Sequence, residues 1–263
     1  MANAKDFLIA LDDGHGMETS GKRSPYVPEL MREIKENEFN REITNYLNQE
    51  LLRCGFRTLL LAPTDFDTPL SVRCSLANRN RANLVVSNHA NAFDGSFDGA
   101  DPKGVEIHVY TNPCGSEDVA KCVLDYIKLE TDQEIRGIKY SDFQILRDTN
   151  MLAILVENLF MDNREEVNLM LDVEYQINRA KQQARGICKY FNVPYVEEKV
   201  VEDIQSEETV FALVVAYPKT LEEAERLQQT IADMYYRMSK VGNSIEFDKG
   251  FKTIIKEIPK KYF

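Results

Sequence analysis

Short apolar runs alternate with helical repeats along the first part of the chain. Three of these runs have the length and composition of buried strands, at residues 7–11, 56–62 and 84–87. Between the first two, apolar residues recur at every fourth position from Phe39 to Leu51, which predicts a helix over 36–53 that stops at Gly55. A second helix is predicted over about 69–82. This order predicts the α/β class, with a mostly parallel, twisted sheet that is flanked by helices.

The same alternation continues further along the chain. Residues 93–104 are rich in Gly and Asp and predict an exposed loop, and residues 105–110 alternate polar and apolar side chains as a strand does. A helix is predicted near 116–130, a further buried run ends at Glu157, and two helical stretches follow it. We therefore predict that the first domain covers residues 1–195.

The remaining residues predict a second, smaller unit. Residues 196–208 are expected to form an acidic linker, because they hold six acidic residues and one lysine. Residues 209–263 then show a strand pattern, a helix with an apolar face and a hairpin pattern, which together predict a small α+β domain. A unit of this size is marginally stable alone, so we expect it to act with a target surface or a second copy.

The charge of the chain excludes a general affinity for nucleic acid or for anionic membranes. Its 32 basic and 43 acidic residues give a net charge of −11, and the basic residues form no long cluster. The apolar run near the N-terminus is too short for a signal peptide or a membrane span, which predicts cytoplasmic synthesis and no membrane insertion. The five cysteines include no C-x-x-C pair, which argues against a disulfide framework.

The stretch LDDGHGMETSGKRSP, residues 11–25, follows the first predicted strand and has two interpretations. Residues 16–22 spell G-x-x-x-x-G-K, the pattern of a phosphate-binding loop. That pattern requires Ser or Thr after the lysine and a helix that begins there, whereas this chain has Arg23 and then Pro25. The second interpretation is that His15 presents its imidazole to a metal ion at the end of a strand.

Two histidines and a carboxylate are predicted to converge at one edge of the sheet. His15, His89 and Glu157 each come after a predicted strand, and the carboxyl ends of parallel strands collect ligands and catalytic groups. Two histidines and one carboxylate, with a coordination position left open, form a catalytic zinc site. Spacing alone does not select the carboxylate ligand. The candidates are Glu18, Glu29, Glu33, Glu36, Glu38 and Glu157.

Four separated motifs resemble a family of zinc enzymes. They are DDGHG at 12–16, ENEFN at 36–40, SNHANA at 87–92 and ILRDTNMLAILVENLFMDN at 145–163. In this order and spacing they resemble the zinc-dependent N-acetylmuramoyl-L-alanine amidases of the Amidase 3 family, of the phage endolysin or autolysin type. The resemblance covers roughly residues 6–192. It implies that zinc is bound by His15, Glu36 and His89, and that Glu157 is the catalytic residue.

The resemblance also implies a reaction. Zinc would activate a water molecule and Glu157 would transfer its proton, so that the amide between N-acetylmuramic acid and L-alanine of the peptidoglycan stem is hydrolysed. Lys22 and Arg23 are expected to border the substrate groove, where a stem carboxylate could contact them. His108, which shares a strand face with Glu106, is expected on a polar face of the sheet.

Two alternatives to this function stay open in the sequence. The first is another zinc hydrolase on the same fold, such as a peptidase or a deacetylase, and the second is a non-catalytic wall-binding protein. Because no export signal is recognisable, we expect the protein to reach the wall through a holin or after cell lysis. Residues 209–263 are expected to target the wall or to form a homodimer.

Overall fold

The structure is a computed structural model, and its described residues are 2–99, 101–111 and 115–197. They belong to the compact unit Met1–Glu198. The small domain predicted at 209–263, most of the predicted linker and Cys114 lie outside the described residues. The predictions about them, including the homodimer, stay predictions.

A six-stranded sheet forms the centre of this unit, in the order β2-β1-β3-β6-β4-β5. Strands β2, β1, β3 and β6 are parallel to one another, whereas β4 is antiparallel to β6 and parallel to β5. The predicted α/β class and mostly parallel sheet are therefore confirmed. The strands are β1 (Leu8–Asp12), β2 (Arg57–Leu60), β3 (Leu84–Asn91), β4 (Val105–Val109), β5 (Ile135–Tyr140) and β6 (Leu152–Phe160).

Helices cover both faces of the sheet. The α-helices are α1 (Glu36–Arg53), α2 (Leu70–Arg79), α3 (Ser116–Leu129), α4 (Gln144–Arg147) and α5 (Val173–Phe191), and short 3-10 helices cover Ala4–Asp6, Pro28–Leu30 and Val167–Leu171. Alternate strand residues enter two separate cores, because successive side chains of a strand point to opposite faces. Ile9 and Leu11 pack with α1, α3 and α5, whereas Leu8 and Ala10 pack with α2 and α4. Among the described residues, no helix is long and apolar enough to cross a membrane.

Three local features differ from the predicted elements. Strand β5 was not predicted, because Arg136, Gly137 and Lys139 interrupt its apolar pattern and the strand is only partly buried. Strands β3 and β6 also continue beyond their apolar runs, so that His89 and Glu157 lie within strands rather than after them. The backbone hydrogen bonds between β3 and β6 continue past the apolar runs, because these bonds do not require apolar side chains.

The beginning of the predicted linker contacts the described unit. Arg53 Nε donates a hydrogen bond to the carbonyl oxygen of Val196 at 2.9 Å, and Arg185 Nη2 lies 3.2 Å from Glu197 Oε1. Tyr195 donates its hydroxyl proton to Glu50 Oε2 at 2.5 Å. The chain therefore contacts α1 and α5 up to residue 197, and the domain boundary predicted at 195 stays a prediction.

Candidate metal centre

Three of the residues singled out in the sequence meet at one edge of the sheet. His15 lies in the loop after β1, Glu36 is the first residue of α1, and His89 lies in β3. Their candidate ligand atoms all lie within 4.8 Å of one another, and they are the group that could hold a metal ion among the described residues. His15 Nε2 is 3.3 Å from Glu36 Oε2, and His89 Nδ1 is 2.9 Å from Glu36 Oε1.

The loop that carries His15 has an unusual backbone conformation. The φ angle is 62° at His15 and 31° at Gly14, in the region that side chains with a Cβ adopt rarely. A Cβ atom on Gly14 would lie 2.5 Å from His89 Cε1 and 2.8 Å from Asn40 Nδ2. Glycine is therefore required at position 14, because the backbone of the loop passes directly against the imidazole of His89.

Hydrogen bonds from neighbouring side chains hold this loop in place. Asn37 Nδ2 donates to the carbonyl oxygens of Asp13 and Gly14, at 2.6 and 2.8 Å. Arg73, which is almost fully buried, donates to Asp12 Oδ1 at 2.6 Å and to the carbonyl oxygen of His15 at 2.8 Å. These charge-assisted and backbone contacts fix the direction of the His15 side chain, as outer partners of a metal site do.

Glu36 is buried and only one of its two carboxylate oxygens has hydrogen-bond partners. Its Oε1 accepts from Asn40 Nδ2 at 3.1 Å and from the backbone N–H of Ala90 at 3.2 Å, and it also contacts His89 Nδ1. Its Oε2 is buried and has no hydrogen-bond partner among the described residues. A buried charged oxygen without a partner is costly, and a cation beside it removes that cost.

The donor set fits a zinc ion. Zinc–ligand bonds of roughly 2.0–2.2 Å at tetrahedral angles separate adjacent ligand atoms by about 3.4 Å. Each Glu36 oxygen lies at about that separation from one imidazole nitrogen, 3.3 Å for Oε2 and His15 Nε2 and 2.9 Å for Oε1 and His89 Nδ1, and the three candidate ligand atoms lie within 4.8 Å of one another. The chemistry also fits, because two imidazoles and one carboxylate are the ligands that catalytic zinc sites use.

For two of these residues, the electrostatic environment favours the protonation state in which the side chain can bind a metal ion. Burial lowers the pKa of His15 to about 4, so that its imidazole is neutral near pH 7. Burial opposes ionisation of Glu36, but the hydrogen bond and the charge of His89 outweigh it and lower the pKa of Glu36 to about 2. For His89, burial lowers the pKa and the Glu36 carboxylate raises it more, so that the net shift is upward.

Glu157 lies beside this cluster and is not part of it. It is the register partner of His89 across β3 and β6, and adjacent residues of neighbouring strands share a face of the sheet. Its Oε2 is buried and has no hydrogen-bond partner within the described part of the chain. Burial raises the pKa of Glu157 to about 8, Glu36 raises it further and His89 opposes the shift.

A cleft of about 360 Å³ opens next to the two histidines, on the side of β1 and α2. It is lined by Asp12, Gly14, His15, Asp67, Pro69, Leu70, Arg73 and His89. Of the two cations predicted at the groove, Lys22 is close enough to lower the pKa values of both Glu36 and Glu157, whereas Arg23 Nη1 lies 3.6 Å from Glu33 Oε2.

A polar network on the other side of Glu157 was largely missed in the sequence. Glu106 in β4 is the register partner of Glu157 and is buried. It accepts hydrogen bonds from Arg136 Nε at 2.8 Å and Asn91 Nδ2 at 2.9 Å, and His108 Nε2 lies 3.1 Å away. The hydrogen bond with His108 is the main cause that lowers the pKa of Glu106 to about 2, against the effect of burial, and Arg136 lowers it further.

The partners of Glu106 explain why this network escaped prediction. His108 does share a face with Glu106, as the alternation predicts, but it is buried, and its Nδ1 lies 2.7 Å from Ser141 Oγ. Arg136 belongs to β5, the strand that the apolar pattern does not reveal. The signal that could have located the network is the G-V-E-I-H stretch, since two ionisable residues on one face of a strand require partners when they are buried.

An open α/β sheet with two histidines and a carboxylate at one strand edge is typical of metal-dependent hydrolases. Comparison with known proteins identifies the family. The model of the family Amidase_3, N-acetylmuramoyl-L-alanine amidase, matches residues 9–189, and the chain belongs to this family.

Individual relatives agree with this assignment. The endolysin of Bacillus phage SPP1 is 31% identical over 193 residues, which cover 71% of this chain and 66% of that protein's length, just under two thirds. The solved structure of AmiC2, an N-acetylmuramoyl-L-alanine amidase of Nostoc punctiforme, is similar with a TM-score of 0.63 and 30% identity, over 71% of this chain and 97% of that one. An N-acetylmuramoyl-L-alanine amidase from Clostridium difficile 630 gives a TM-score of 0.64 and 27% identity, over 73% and 98%.

Proposed function

We propose that this chain hydrolyses the amide bond between N-acetylmuramic acid and the L-alanine of the peptidoglycan stem, with one zinc ion held by His15, Glu36 and His89. The observation that carries the proposal is the cluster of two imidazoles and a carboxylate, one buried oxygen of which has no hydrogen-bond partner among the described residues, in a chain of the amidase family. The amidase names of its structural relatives support the choice of bond.

A zinc ion held by these three residues would polarise the substrate carbonyl and activate water. Glu157 acts as the general base and then the general acid: it accepts a proton from the attacking water and delivers it to the nitrogen of L-alanine as the C–N bond breaks. In the metal-free chain burial raises the pKa of Glu157 to about 8, and the charge of a cation at the cluster would oppose this shift, toward the neutral range that suits a residue which both takes and returns a proton.

The chain's other residues hold this arrangement and contact the substrate. Asn37 and Arg73 fix the loop of His15, and Asn40 orients the carboxylate of Glu36. Lys22 brings a positive charge toward the site, where it can contact a carboxylate of the stem. The cleft on the side of β1 offers space for N-acetylmuramic acid, which lies on the other side of the scissile bond from the stem peptide.

Digestion of purified peptidoglycan, with and without a chelator, tests the proposal. We expect peptides with a new N-terminal L-alanine and glycans with a newly freed carboxyl group on N-acetylmuramic acid, identified by mass, and no product once the chelator has removed the metal. A new amine on another stem residue would indicate a peptidase, and loss of acetyl groups would indicate a deacetylase. Wall binding without any product would support the non-catalytic alternative.

The substitution Glu157→Gln tests the role of the base. It keeps the shape of the side chain but cannot accept the proton, so we expect turnover to fall by about 10² to 10⁴, the usual contribution of a positioned acid or base. Zinc content should stay at the wild-type level, because Glu157 is outside the ligand cluster. Near-normal turnover, or loss of zinc, would each contradict this role.

The relation to a phage endolysin supports action at the cell wall. We propose that the protein reaches the wall through a holin or after lysis of the cell that makes it, as either an endolysin or an autolysin. Expression in a host with and without a co-expressed holin tests this, since lysis that needs no holin and no other damage would contradict it.

A further inference from the structure

A second charged group stands at the same sheet edge as the proposed reaction site. Strand β4 runs antiparallel to β6, so the beginning of β4 and of its parallel neighbour β5 lies at the carboxyl end of β6. Glu106 and Arg136 belong to these two strand beginnings. The row His89, Glu157, Glu106 therefore crosses the sheet in register and leads from the metal centre toward Arg136.

The guanidinium of Arg136 is fixed in position and still has free donors. Its Nε donates to Glu106 Oε2 at 2.8 Å, and its Cζ lies 5.0 Å from the centre of the Phe160 ring. Its terminal nitrogens make no hydrogen bond to any residue in the described ranges, and Nη1 forms a long ion pair with the exposed Glu134 Oε1, at 4.0 Å. The side chain is 28% exposed.

The carboxylate of Glu106 is itself fixed by other contacts, so it can hold the Arg136 guanidinium in position. Asn91 and His108 contact the carboxylate oxygen that Arg136 does not use. The guanidinium is thus anchored at one edge by a buried carboxylate and at one face by an aromatic ring. An anchored guanidinium whose terminal nitrogens donate no hydrogen bond within the described part of the chain is suited to bind a carboxylate through two parallel hydrogen bonds.

The distance from Glu157 indicates which carboxylate can reach Arg136. Register partners in antiparallel strands have Cα atoms about 5 Å apart. A guanidinium bound to the Glu106 side chain is therefore about 5–10 Å from the Glu157 side chain. An extended peptide spans about 3.3–3.6 Å per residue, so this distance corresponds to about one to three residues beyond the scissile bond, with the second residue in the middle of that range.

We propose that Arg136, supported by Glu106 and Phe160, binds the free α-carboxylate of the second residue of the stem peptide. The inference rests on the proposed function. In peptidoglycan this second residue is a glutamate joined through its side chain, so its α-carboxyl group is either free or amidated. Arg136 makes the enzyme specific for the free carboxylate, because a carboxamide has no charge and offers only one acceptor oxygen.

Two soluble muropeptides that differ only at this group, one with a carboxylate and one with a carboxamide, test the inference. We expect the wild-type chain to cleave the carboxylate form with a kcat/KM about 10- to 100-fold higher, the factor that corresponds to one charged hydrogen-bonded contact. The substitution Arg136→Gln should lower kcat/KM for the carboxylate form to that of the carboxamide form. It should leave cleavage of the carboxamide form within about threefold of wild type.

Two further variants separate binding from a general effect of charge. Arg136→Lys keeps the charge beside Glu106 but loses the two-pronged contact, so it should recover only part of the preference. Arg147→Gln is the matched control. Arg147 lies in α4, which precedes the start of β6 and is therefore distant from the carboxyl end of that strand, and it pairs with Asp142 and Asp148. This variant should leave both rates unchanged.

The outcomes distinguish this inference from the proposed function. An equal loss on both substrates in Arg136→Gln would show that Arg136 has only a structural role, and equal rates for the two substrates in the wild-type chain would also overturn the inference. Cleavage of the carboxamide form by the wild-type chain at the amide of L-alanine would still support the amidase. If the zinc-loaded wild type cleaves neither substrate, the proposed function fails and the inference fails with it.

Discussion

Replacement of Glu36 separates its contribution to the fold from its contribution to the metal site. In Glu36→Ala, the acceptor for the N–H of Ala90 and for the His89 ring disappears, whereas Asn40 Nδ2 keeps a contact with the carbonyl oxygen of Gly14 at 3.3 Å. Two buried donors without a partner cost about 1–3 kcal/mol each, so the metal-free variant should lose about 2–6 kcal/mol of unfolding free energy. Denaturant unfolding of the metal-free proteins measures this loss.

Glu36→Gln removes the charge and keeps an acceptor oxygen at the same place. We expect it to lose only about 1 kcal/mol in the metal-free form, because the hydrogen bonds are retained without the charge that strengthens them. Loss of an outer partner of a metal site costs about 10- to 100-fold in affinity. If Glu36 is a direct ligand, as proposed, the zinc affinity of Glu36→Gln should fall by more than this. Competition with a chromophoric chelator measures the affinity of each variant.

The matched control is Glu38→Gln, in the same first turn of α1. Glu38 Oε1 pairs with Arg32 Nη1 at 2.8 Å and is not part of the ligand cluster. This variant undergoes the same chemical change and should bind zinc as tightly as the wild type. If Glu36→Gln also kept full zinc affinity, the carboxylate ligand would be a different residue and the proposed set of three would be wrong.

Three other outcomes follow from the geometry. Gly14→Ala should lower zinc affinity more than tenfold, because its Cβ would collide with His89. Gly21 has φ of 72°, and no atom of the described residues lies within 4 Å of an added Cβ, so Gly21→Ala should lose about 1–2 kcal/mol of stability and keep its zinc. Equal zinc affinities in the two variants would refute the steric argument. The folded pKa of Glu106 is about 2, below its ordinary 4.5, so its ionisation stabilises the fold above about pH 4.5 and this effect is lost as the pH falls toward 2. The stability difference between the wild type and Glu106→Gln should therefore narrow by up to about 3 kcal/mol between pH 5 and pH 2, and a constant difference would contradict it. A chain of residues 1–197 should fold, bind zinc and cleave soluble muropeptides but lose activity on whole walls, and a metal-free or insoluble product would show that the remaining residues complete the fold.

Much of the fold could be predicted because its strands and helices have strong local patterns. Helix α1 has the predicted limits, since the apolar spacing from Phe39 to Leu51 defines one face and Gly55, with φ of 90°, ends the helix region. Strand β5 has no such pattern, because a partly exposed strand at the sheet edge needs few apolar side chains. The pairing of β4 antiparallel to β6 also depends on contacts between distant segments.

The candidate site also has features that the sequence predicts and features that only the tertiary structure shows. From the residues alone, His15, His89 and Glu157 are expected at one sheet edge, because strand order brings strand ends together. The sequence alone did not choose among the acidic residues, and the family resemblance was needed to select Glu36. Only the tertiary structure showed that a buried Glu36 oxygen faces His15 and has no hydrogen-bond partner in the described part of the chain, and only it placed Arg136 beside Glu106. The physical reason is that burial, desolvation and hydrogen bonding depend on segments far apart in the chain, whereas periodicity reports only what each segment requires of its neighbours.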